Sequence, residues 1–207
     1  MAVITISRQF GAGGKTIGKL VAKKLGYAFI DHEIINKVAE VANVSDEWVH
    51  SIEQEAGGKM MNFISKLVSK NFIERILDEK KGYIDEDVYI ETLKHVLQKF
   101  AEQDNCVLIG RGGQYFLKEF ENAIHIDMIA ELKDRIKFME DNYQLSYAQA
   151  KNTVNVHGKR RQNLFMKIGK QDYENPNLYT LVLNMSKLSM DKAVEIVCNL
   201  AKLKDIA

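Results

Sequence analysis

Three glycines and two polar side chains near the N-terminus have the types and spacing needed to bind a phosphate. Gly11, Gly13 and Gly14 carry no Cβ, so the chain can adopt positive φ there and turn several N–H groups toward an anion. Lys15 adds a positive charge, and Thr16 adds a hydroxyl that can reach a magnesium ion. The alternative is an ordinary glycine-rich turn between a strand and a helix.

The segment departs from the phosphate-loop pattern G-x-x-x-x-G-K-[ST] by one position. When Gly14, Lys15 and Thr16 are taken as its last three residues, the first glycine of the pattern falls on Gln9. The strict motif therefore fails. Arg8 lies in the same loop and is a candidate substitute for the motif's cation.

Two further charged residues are expected at the same edge of a sheet. Asp31 follows a short strand over 27–30, and Arg111 follows the apolar strand 106–109. Ligands of α/β sheets bind beyond the carboxyl ends of strands, and the planar fork of arginine suits a phosphate. Asp31 could instead cap the next helix, and Arg111 could cap a helix or pair with Asp31.

A second basic cluster spans 157–170 and contains no acidic residue. It includes Lys159, Arg160 and Arg161. Mobile cationic segments of this kind can close over ATP and neutralise charge on a transferred phosphoryl group. A nucleic-acid patch is the rival interpretation, but the chain offers neither a binding motif nor a basic domain to support it.

Strand and helix patterns alternate along the chain. This alternation predicts an α/β fold, a three-layer sandwich in which helices cover both faces of a five-stranded parallel sheet. The first predicted strand begins at Ile4, and the other four lie at 27–30, 106–109, 122–127 and 179–183. The predicted helices lie at 16–25, 85–103 and 130–142, with two more that begin near 146 and 188.

Composition limits the class of protein. A chain of 207 residues, 46% apolar and 28% charged, is typical of a globular domain with a sizeable core. The net charge of +1 gives no overall attraction to nucleic acid or to an anionic membrane. Cys106 and Cys198 are expected to be buried thiols, and no signal peptide or membrane span is evident, so a cytoplasmic location is expected.

The run 4–14, followed by 25–31, resembles the cytidylate kinase-like family, a divergent branch of the P-loop nucleoside monophosphate kinases. When the chain is aligned without gaps to true cytidylate kinases, Gly14 falls at the position of the lysine that grips the phosphate. Lys15 lies one residue after that position. Because one residue turns a helical side chain by about 100°, either the loop absorbs an extra residue or Lys15 points away. The residues that match the family's loop are Gly11, Ala12, Gly13 and Thr16.

The resemblance implies roles for residues outside the loop. It implies that Asp31 faces the acceptor or a magnesium-bound water, that Arg111 contacts the acceptor nucleotide, and that Arg135 matches a recurring arginine. Arg161 then falls at the recurring arginine of the lid, with Lys159 and Arg160 beside it. The lid of true cytidylate kinases carries Arg-Asp and a further Asp where this chain has Val154, Asn155 and Gly158.

The resemblance also implies a division of the chain. The P-loop kinase core would comprise 1–44, 85–145 and 171–207, with a helical acceptor-binding insert at about 45–84 and a lid at about 146–170. The apolar stripes of the insert could serve a homodimer interface as readily as a core. Neither nucleic acid nor a membrane is expected as a partner.

The implied activity is ATP- and Mg²⁺-dependent phosphoryl transfer to a small-molecule acceptor, a nucleoside monophosphate such as CMP. Two other functions stay open. One is a nucleotide- or phosphate-sensing protein that kept the fold and lost efficient catalysis, which the offset lysine and the altered lid favour. The other is a kinase whose acceptor is not a nucleotide.

Overall fold

The computed structural model describes residues 2–31, 86–168 and 172–204. The chain divides into two compact units, one of Met1–Asp31 with Ala101–Ala207 and one of His32–Phe100. Because 32–85 fall outside the described residues, the predicted insert at about 45–84 lies outside them as well.

The described residues form five strands and six α-helices, numbered here in chain order. Across these ranges, no helix combines the length and the apolar character that a bilayer crossing requires. The strands are β1 (Val3–Arg8), β2 (Ala28–Ile30), β3 (Cys106–Ile109), β4 (Ala123–Ile129) and β5 (Leu181–Asn184). The helices are α1 (Gly14–Leu25), α2 (Glu86–Ala101), α3 (Gly113–Phe116), α4 (Leu132–Tyr143), α5 (Tyr147–Lys167) and α6 (Met190–Lys204), with a 3-10 helix at Pro176–Leu178.

All five strands are parallel and form one sheet in the order β2-β3-β1-β4-β5. The predicted α/β fold with a five-stranded parallel sheet is therefore confirmed. β1 lies at the centre, with Ile6 opposite Ile109 of β3 and Ile126 of β4. The loop that follows β1 is thus flanked by the chain segments that leave β3 and β4.

An apolar core fills the face of the sheet that α1 and α6 cover. Ile4 and Ile6 of β1 pack there with Ile17 of α1 and Val197 of α6, and all four are fully buried. Burying a side chain of this size contributes about 1.5 to 3 kcal/mol. A Cβ at Gly18 would lie 2.5 Å from Cδ1 of Ile109, so α1 lies close against the strands. This packing holds the N-terminus of α1 at the carboxyl end of β1.

The opposite face of the two central strands is polar. Thr5 and Ser7 of β1 are buried and lie in register with His125 and Asp127 of β4. Thr5 Oγ1 is 2.7 Å from His125 Nδ1, so this histidine has a hydrogen-bond partner on the neighbouring strand. Gly113 of α3 lies on the same face, where an added Cβ would contact the Thr5 side chain. The face of β1 and β4 that lies opposite this apolar core therefore carries a group of polar side chains.

Several element boundaries differ from the predicted ones by one or two residues. α1 begins at Gly14 rather than Thr16, because Gly13 caps the helix in a left-handed conformation. β5 begins at Leu181 rather than Tyr179, since the Tyr179 N–H donates to the Pro176 carbonyl to close the 3-10 turn. The predicted lid is one continuous helix from Tyr147 to Lys167, started by a capping box between Ser146 and Gln149.

Both cysteines are buried thiols, as predicted. Burial raises the pKa of Cys106 to about 12, and burial also raises the pKa of Cys198. Thiols that stay protonated are poor nucleophiles, so neither residue is suited to covalent chemistry.

Candidate functional site

The segment between β1 and α1 is a loop that turns on two left-handed glycines. Gly11 has φ +87° and Gly13 has φ +79°. The Gly13 carbonyl accepts from the Ile17 N–H at 3.0 Å, which is the first hydrogen bond of α1. The N–H groups of a first helical turn have no partner within the helix, and the helix dipole is positive there. The loop therefore presents N–H groups suited to an anion.

Gly11 brings the loop against α4. A Cβ at this position would lie 2.7 Å from the Arg135 carbonyl oxygen, which is closer than real Cβ contacts. The Arg135 side chain turns back, and its Nε donates to the Ala130 carbonyl at 3.1 Å. Burial, with a smaller contribution from Arg161, lowers the pKa of Arg135. The predicted residue Arg135 is thus brought to the glycine loop, mainly through its backbone.

Lys15 and Asp31 form an ion pair. Lys15 Nζ lies 2.8 Å from Asp31 Oδ2, with the lysine side chain 44% exposed and the aspartate only 9% exposed. Since α1 already starts at Gly14, Lys15 belongs to the first helical turn and its ammonium is directed to the end of β2. The structure therefore joins two predicted site residues to each other.

Arg8, the last residue of β1, crosses the loop. The first carbons of its side chain lie against Gly14, where an added Cβ would be 2.9 Å from Arg8 Cβ and Cγ. Its guanidinium reaches Gly110 after β3, where an added Cβ would collide with Arg8 Nη1. Arg8 thus connects the start of the glycine loop to the end of the neighbouring strand.

Arg111 is displayed by a strained turn. Gly110, Arg111 and Gly112 all have left-handed φ, at +75°, +57° and +76°. For a residue with a side chain this conformation costs roughly 1 to 2 kcal/mol. Within the described residues, Arg111 Nε is buried and has no hydrogen-bond partner. Strain of this kind is concentrated at functional sites, and the unpaired N–H is available to a ligand.

Helix α5 directs one of its three consecutive cations inward. Arg161 Nη2 donates to Ser7 Oγ at 3.1 Å and lies 3.5 Å from Asp127 Oδ1. The guanidinium carbon lies 5.2 Å from the Phe165 ring centroid and 5.0 Å from that of Tyr173. The structure therefore brings Arg161 to the polar face of the sheet. Lys159 and Arg160 remain exposed on α5.

Asp127 belongs to this arrangement and was not predicted as a site residue. Burial raises the pKa of its carboxyl group, an effect that Arg161 and Ser7 oppose. Its Oδ1 has no hydrogen-bond partner in the described ranges. Polar residues at alternate positions of β1 and β4 were the available signal, because parallel neighbours in register place such residues on one face.

Tyr179 adds a hydroxyl to the same polar face. It donates to the Tyr173 carbonyl at 2.7 Å and lies 3.4 Å from Ser7 Oγ. Gln114 of α3 donates to the Tyr179 hydroxyl oxygen at 3.3 Å. Tyr179 was expected in a strand, so its role in this network was also missed.

The loop and α5 are joined by a ring stack. Phe10 and His157 have ring centroids 4.0 Å apart and planes 7° apart. Phe10 also packs against a small apolar cluster between α4 and α5 that includes Met139 and Val154. Burial lowers the pKa of His157, and the positive charges of Arg160 and Arg8 lower it further. The stack is therefore formed with a neutral imidazole near neutral pH.

Positive charge accumulates at the carboxyl edge of the sheet. Burial lowers the pKa of Arg8 to about 10, and the nearby charges of Arg161 and Arg111 add to this decrease while Asp31 opposes it. Like charges in a poorly solvated site repel strongly, so a bound anion would relieve them. This arrangement can bind a polyanion and neutralise charge on it.

The residues present fit a triphosphate and a magnesium ion. The loop turns on two glycines with φ of +87° and +79°, and Arg111 Nε is an unsatisfied donor within the described residues. Across the described ranges, no three His, Cys, Asp or Glu side chains are grouped to hold a metal. Magnesium in such sites takes most of its ligands from phosphate and water, so the exposed Thr16 hydroxyl with few protein ligands is compatible with it.

Comparison of the sequence with known proteins identifies a matching family. Residues 3–187 match the model of the cytidylate kinase-like family. A cytidylate kinase from Caldicellulosiruptor saccharolyticus is 28% identical over 170 residues, which cover 70% of this chain and 74% of that protein.

Two solved structures share the fold. An uncharacterised protein from Eubacterium ventriosum superposes with a TM-score of 0.68 at 15% identity, covering 98% of this chain and 99% of that one. A shikimate kinase from Bacteroides thetaiotaomicron superposes with a TM-score of 0.50 at 14% identity, covering 97% and 98%. At these identities the likeness concerns the fold alone.

We predict that Gly11→Ala destabilises the protein more than Gly26→Ala. Both glycines have positive φ, at +87° and +71°, so alanine is strained at either position by about 1 to 2 kcal/mol. Only at Gly11 does the new Cβ also meet backbone, 2.7 Å from the Arg135 oxygen, whereas nothing described lies within 4 Å at Gly26. Urea denaturation of both variants measures the difference, and equal losses would contradict the proposed contact.

We also predict that acidification destabilises the protein through His157. The folded-state pKa lies below the ordinary value of 6.5, so the neutral ring's contribution is fully present above pH 6.5. That contribution is lost as the pH falls from 6.5 through the folded-state pKa. His157→Phe keeps a ring against Phe10 and removes the proton site, so its melting temperature should fall less than wild type's between pH 8 and pH 5. Equal decreases would refute this assignment.

Proposed function

Because the chain belongs to the cytidylate kinase-like family, we propose that it transfers a phosphoryl group from ATP to a nucleoside monophosphate, with CMP as the first candidate. The observation that carries this proposal is the convergence of Arg8, Arg111 and Arg161 on one glycine loop. The interactions of Arg8 with the other two charges support that convergence. A reaction between two phosphate groups needs this neutralisation, because donor and acceptor are both anionic.

The loop would hold the phosphates of ATP. Its backbone, from Gly11 through Ala12, Gly13 and Gly14, presents N–H groups, and the positive charge comes from Lys15 or Arg8. The Thr16 hydroxyl would be a ligand of magnesium. When bound, ATP supplies the phosphoryl group and Mg²⁺ offsets part of its charge.

The acceptor would lie beyond the ends of β2 and β3. Asp31 and Arg111 leave those two strands, and Arg161 reaches the neighbouring polar face through α5. Arg111 would bind the acceptor's phosphate, Asp31 would orient the acceptor or a magnesium-bound water, and Arg135 would add positive charge. Arg161, with Lys159 and Arg160 beside it on the lid, would neutralise charge during the transfer.

No covalent intermediate is needed for this chemistry. An oxygen of the acceptor's phosphate displaces ADP in line, so the protein has to align the two anions and exclude water. The ion pairs of Lys15 with Asp31 and of Arg161 with Asp127, and the hydrogen bond of Arg161 to Ser7, keep these side chains in defined positions. Such preorganisation favours transfer to the acceptor over hydrolysis.

One observation favours a second candidate function. Lys15 is paired with Asp31. The preceding residue, Gly14, occupies the position at which the family has its phosphate-gripping lysine. A protein with this arrangement could bind a nucleotide without turning it over. A kinase of a non-nucleotide acceptor is the third candidate.

An ADP-release assay separates these functions. The protein would be tested with ATP and Mg²⁺ against CMP, UMP, AMP, GMP, and a set of small alcohols and their phosphates. We expect ADP release to depend on a nucleoside monophosphate. ATP binding without release on any acceptor would support the binding protein, and release with an alcohol alone would support the third candidate.

We predict that Arg111→Ala abolishes use of the acceptor and leaves ATP affinity nearly unchanged. Arg111→Gly removes the same guanidinium while relieving the left-handed backbone at φ +57°, so it separates loss of charge from strain. Lys118→Ala, which removes an exposed charge nearby, is the matched control. Initial rates give the acceptor KM, and calorimetry gives the ATP Kd. Equal loss of both affinities in the arginine variants would contradict the role assigned to Arg111.

A further inference from the structure

Arg8 and Gly14, at the two ends of the glycine loop, depart from the phosphate-loop motif. Gly13 caps α1, so it is the residue that ends the loop. When Gly13 is taken as the second glycine of G-x-x-x-x-G-K-[ST], the first glycine falls on position 8 and the lysine on position 14. This chain has Arg8 and Gly14 at those positions, with Lys15 at the Ser/Thr position and Thr16 one residue beyond it. A cation stands in the place of glycine, and a glycine stands in the place of the cation.

The structure shows that these two departures depend on each other. A Cβ at Gly14 would lie 2.9 Å from both Cβ and Cγ of Arg8, a separation that real Cβ atoms do not show. The observed Arg8 side chain and a lysine at position 14 therefore exclude each other. Gly110 imposes the same condition at the other end, since a Cβ there would collide with Arg8 Nη1. The Arg8 side chain can therefore adopt this conformation only because positions 14 and 110 are glycines.

We propose that Arg8 and Gly14 have exchanged the positions of glycine and cation in the phosphate loop, so that Arg8 is the side chain that grips the transferred phosphoryl group. This inference rests on the proposed function, and it decides between the two cations that could supply the loop's charge. Lys15 orients Asp31 instead, since their atoms are 2.8 Å apart.

The surroundings of Arg8 suit an anion. Arg8 is a half-buried residue whose guanidinium lies at the end of β3. Burial, with the nearby charges of Arg161 and Arg111 acting in the same direction, lowers its pKa to about 10. Among the described residues, Asp31 is the carboxylate that opposes this decrease, and Asp31 is already paired with Lys15. A phosphate at this point would accept two parallel N–H bonds from the arginine and offset the repulsion.

The test uses tripolyphosphate as the probe, because its binding requires neither an acceptor nor turnover. Calorimetry would give its Kd for wild type, Arg8→Gly, Gly14→Lys, the double variant Arg8→Gly/Gly14→Lys, and Lys15→Ala. Lys19→Ala, an exposed cation one turn further along α1, is the matched charge control.

We expect Arg8→Gly to weaken binding by about 10- to 100-fold, the effect of losing a charge-assisted hydrogen bond. Gly14→Lys alone should also weaken binding, because the new Cβ would displace the Arg8 side chain from its observed conformation. The double variant should recover to within a few-fold of wild type, since lysine then occupies the position that the motif gives it. Lys15→Ala should lose less than Arg8→Gly, and Lys19→Ala should bind like wild type.

Three outcomes would overturn the exchange: Arg8→Gly that binds like wild type, a double variant no better than either single variant, or Lys15→Ala with the larger loss. If Gly14→Lys does not fold, Arg8→Met keeps the apolar stem over Gly14 and removes only the charge. Comparison of Arg8→Met with Lys19→Met then decides the question in the same way.

Failure of the proposed function has a different signature. A wild type that releases no ADP with any acceptor, yet shows the recovery in the double variant, would refute the kinase and leave the exchange standing. If the wild type turns over CMP while Arg8→Gly keeps the wild-type affinity for tripolyphosphate, the exchange is refuted and the kinase function stands. Absence of tripolyphosphate binding in wild type would overturn the exchange whatever the turnover.

Discussion

Repulsion between like charges is the constraint on which the site depends. Arg8, Arg111 and Arg161 approach one another at the carboxyl edge of the sheet, where burial removes part of the water that would screen them. Asp31 and Asp127 are buried carboxylates that offset this charge, yet each is already shared with a cation. Partners of this kind limit the cost of burying a charge without removing the demand for a further anion. A polyanionic ligand would therefore complete the arrangement electrostatically.

The order of the strands explains how so few residues create this concentration of charge. β1 is central, so the loop after it lies between the segments that leave β3 and β4. The apolar face under α1 and α6 supports the sheet, while the opposite face carries Thr5, Ser7, His125 and Asp127. Buried polar residues on two adjacent strands would destabilise an ordinary core, but here Tyr179 and Arg161 bond to Ser7, and Gln114 donates to the Tyr179 hydroxyl. The apolar face thus packs against helices, whereas the opposite face carries the polar side chains that contact Arg161 and Tyr179.

Aromatic contacts connect the helix that carries Arg161 to the loop it would serve. Phe165 and Tyr173 stack on each other with centroids 4.9 Å apart, and the Arg161 guanidinium lies about 5 Å from each ring. Near the loop, Phe10 stacks on His157 of the same helix. Cation–π and ring-stacking contacts of this type contribute roughly 0.5 to 1.5 kcal/mol each. They hold the Arg161 guanidinium beside two aromatic rings, where it also contacts Ser7 and Asp127.

The sequence by itself determined the features that depend on local chemistry. Alternating patterns predicted the parallel sheet, the glycines predicted the left-handed turn before α1, and strand-end positions marked Asp31 and Arg111. The tertiary structure decided which side chains meet. The pairing of Lys15 with Asp31, the path of Arg8 across Gly14 to Gly110, and the bonds of Arg161 to Ser7 and Asp127 join residues from different elements. Periodicity and turn chemistry act over a few neighbouring residues, whereas these contacts depend on strand order and register, which bring distant segments together only once the sheet has formed.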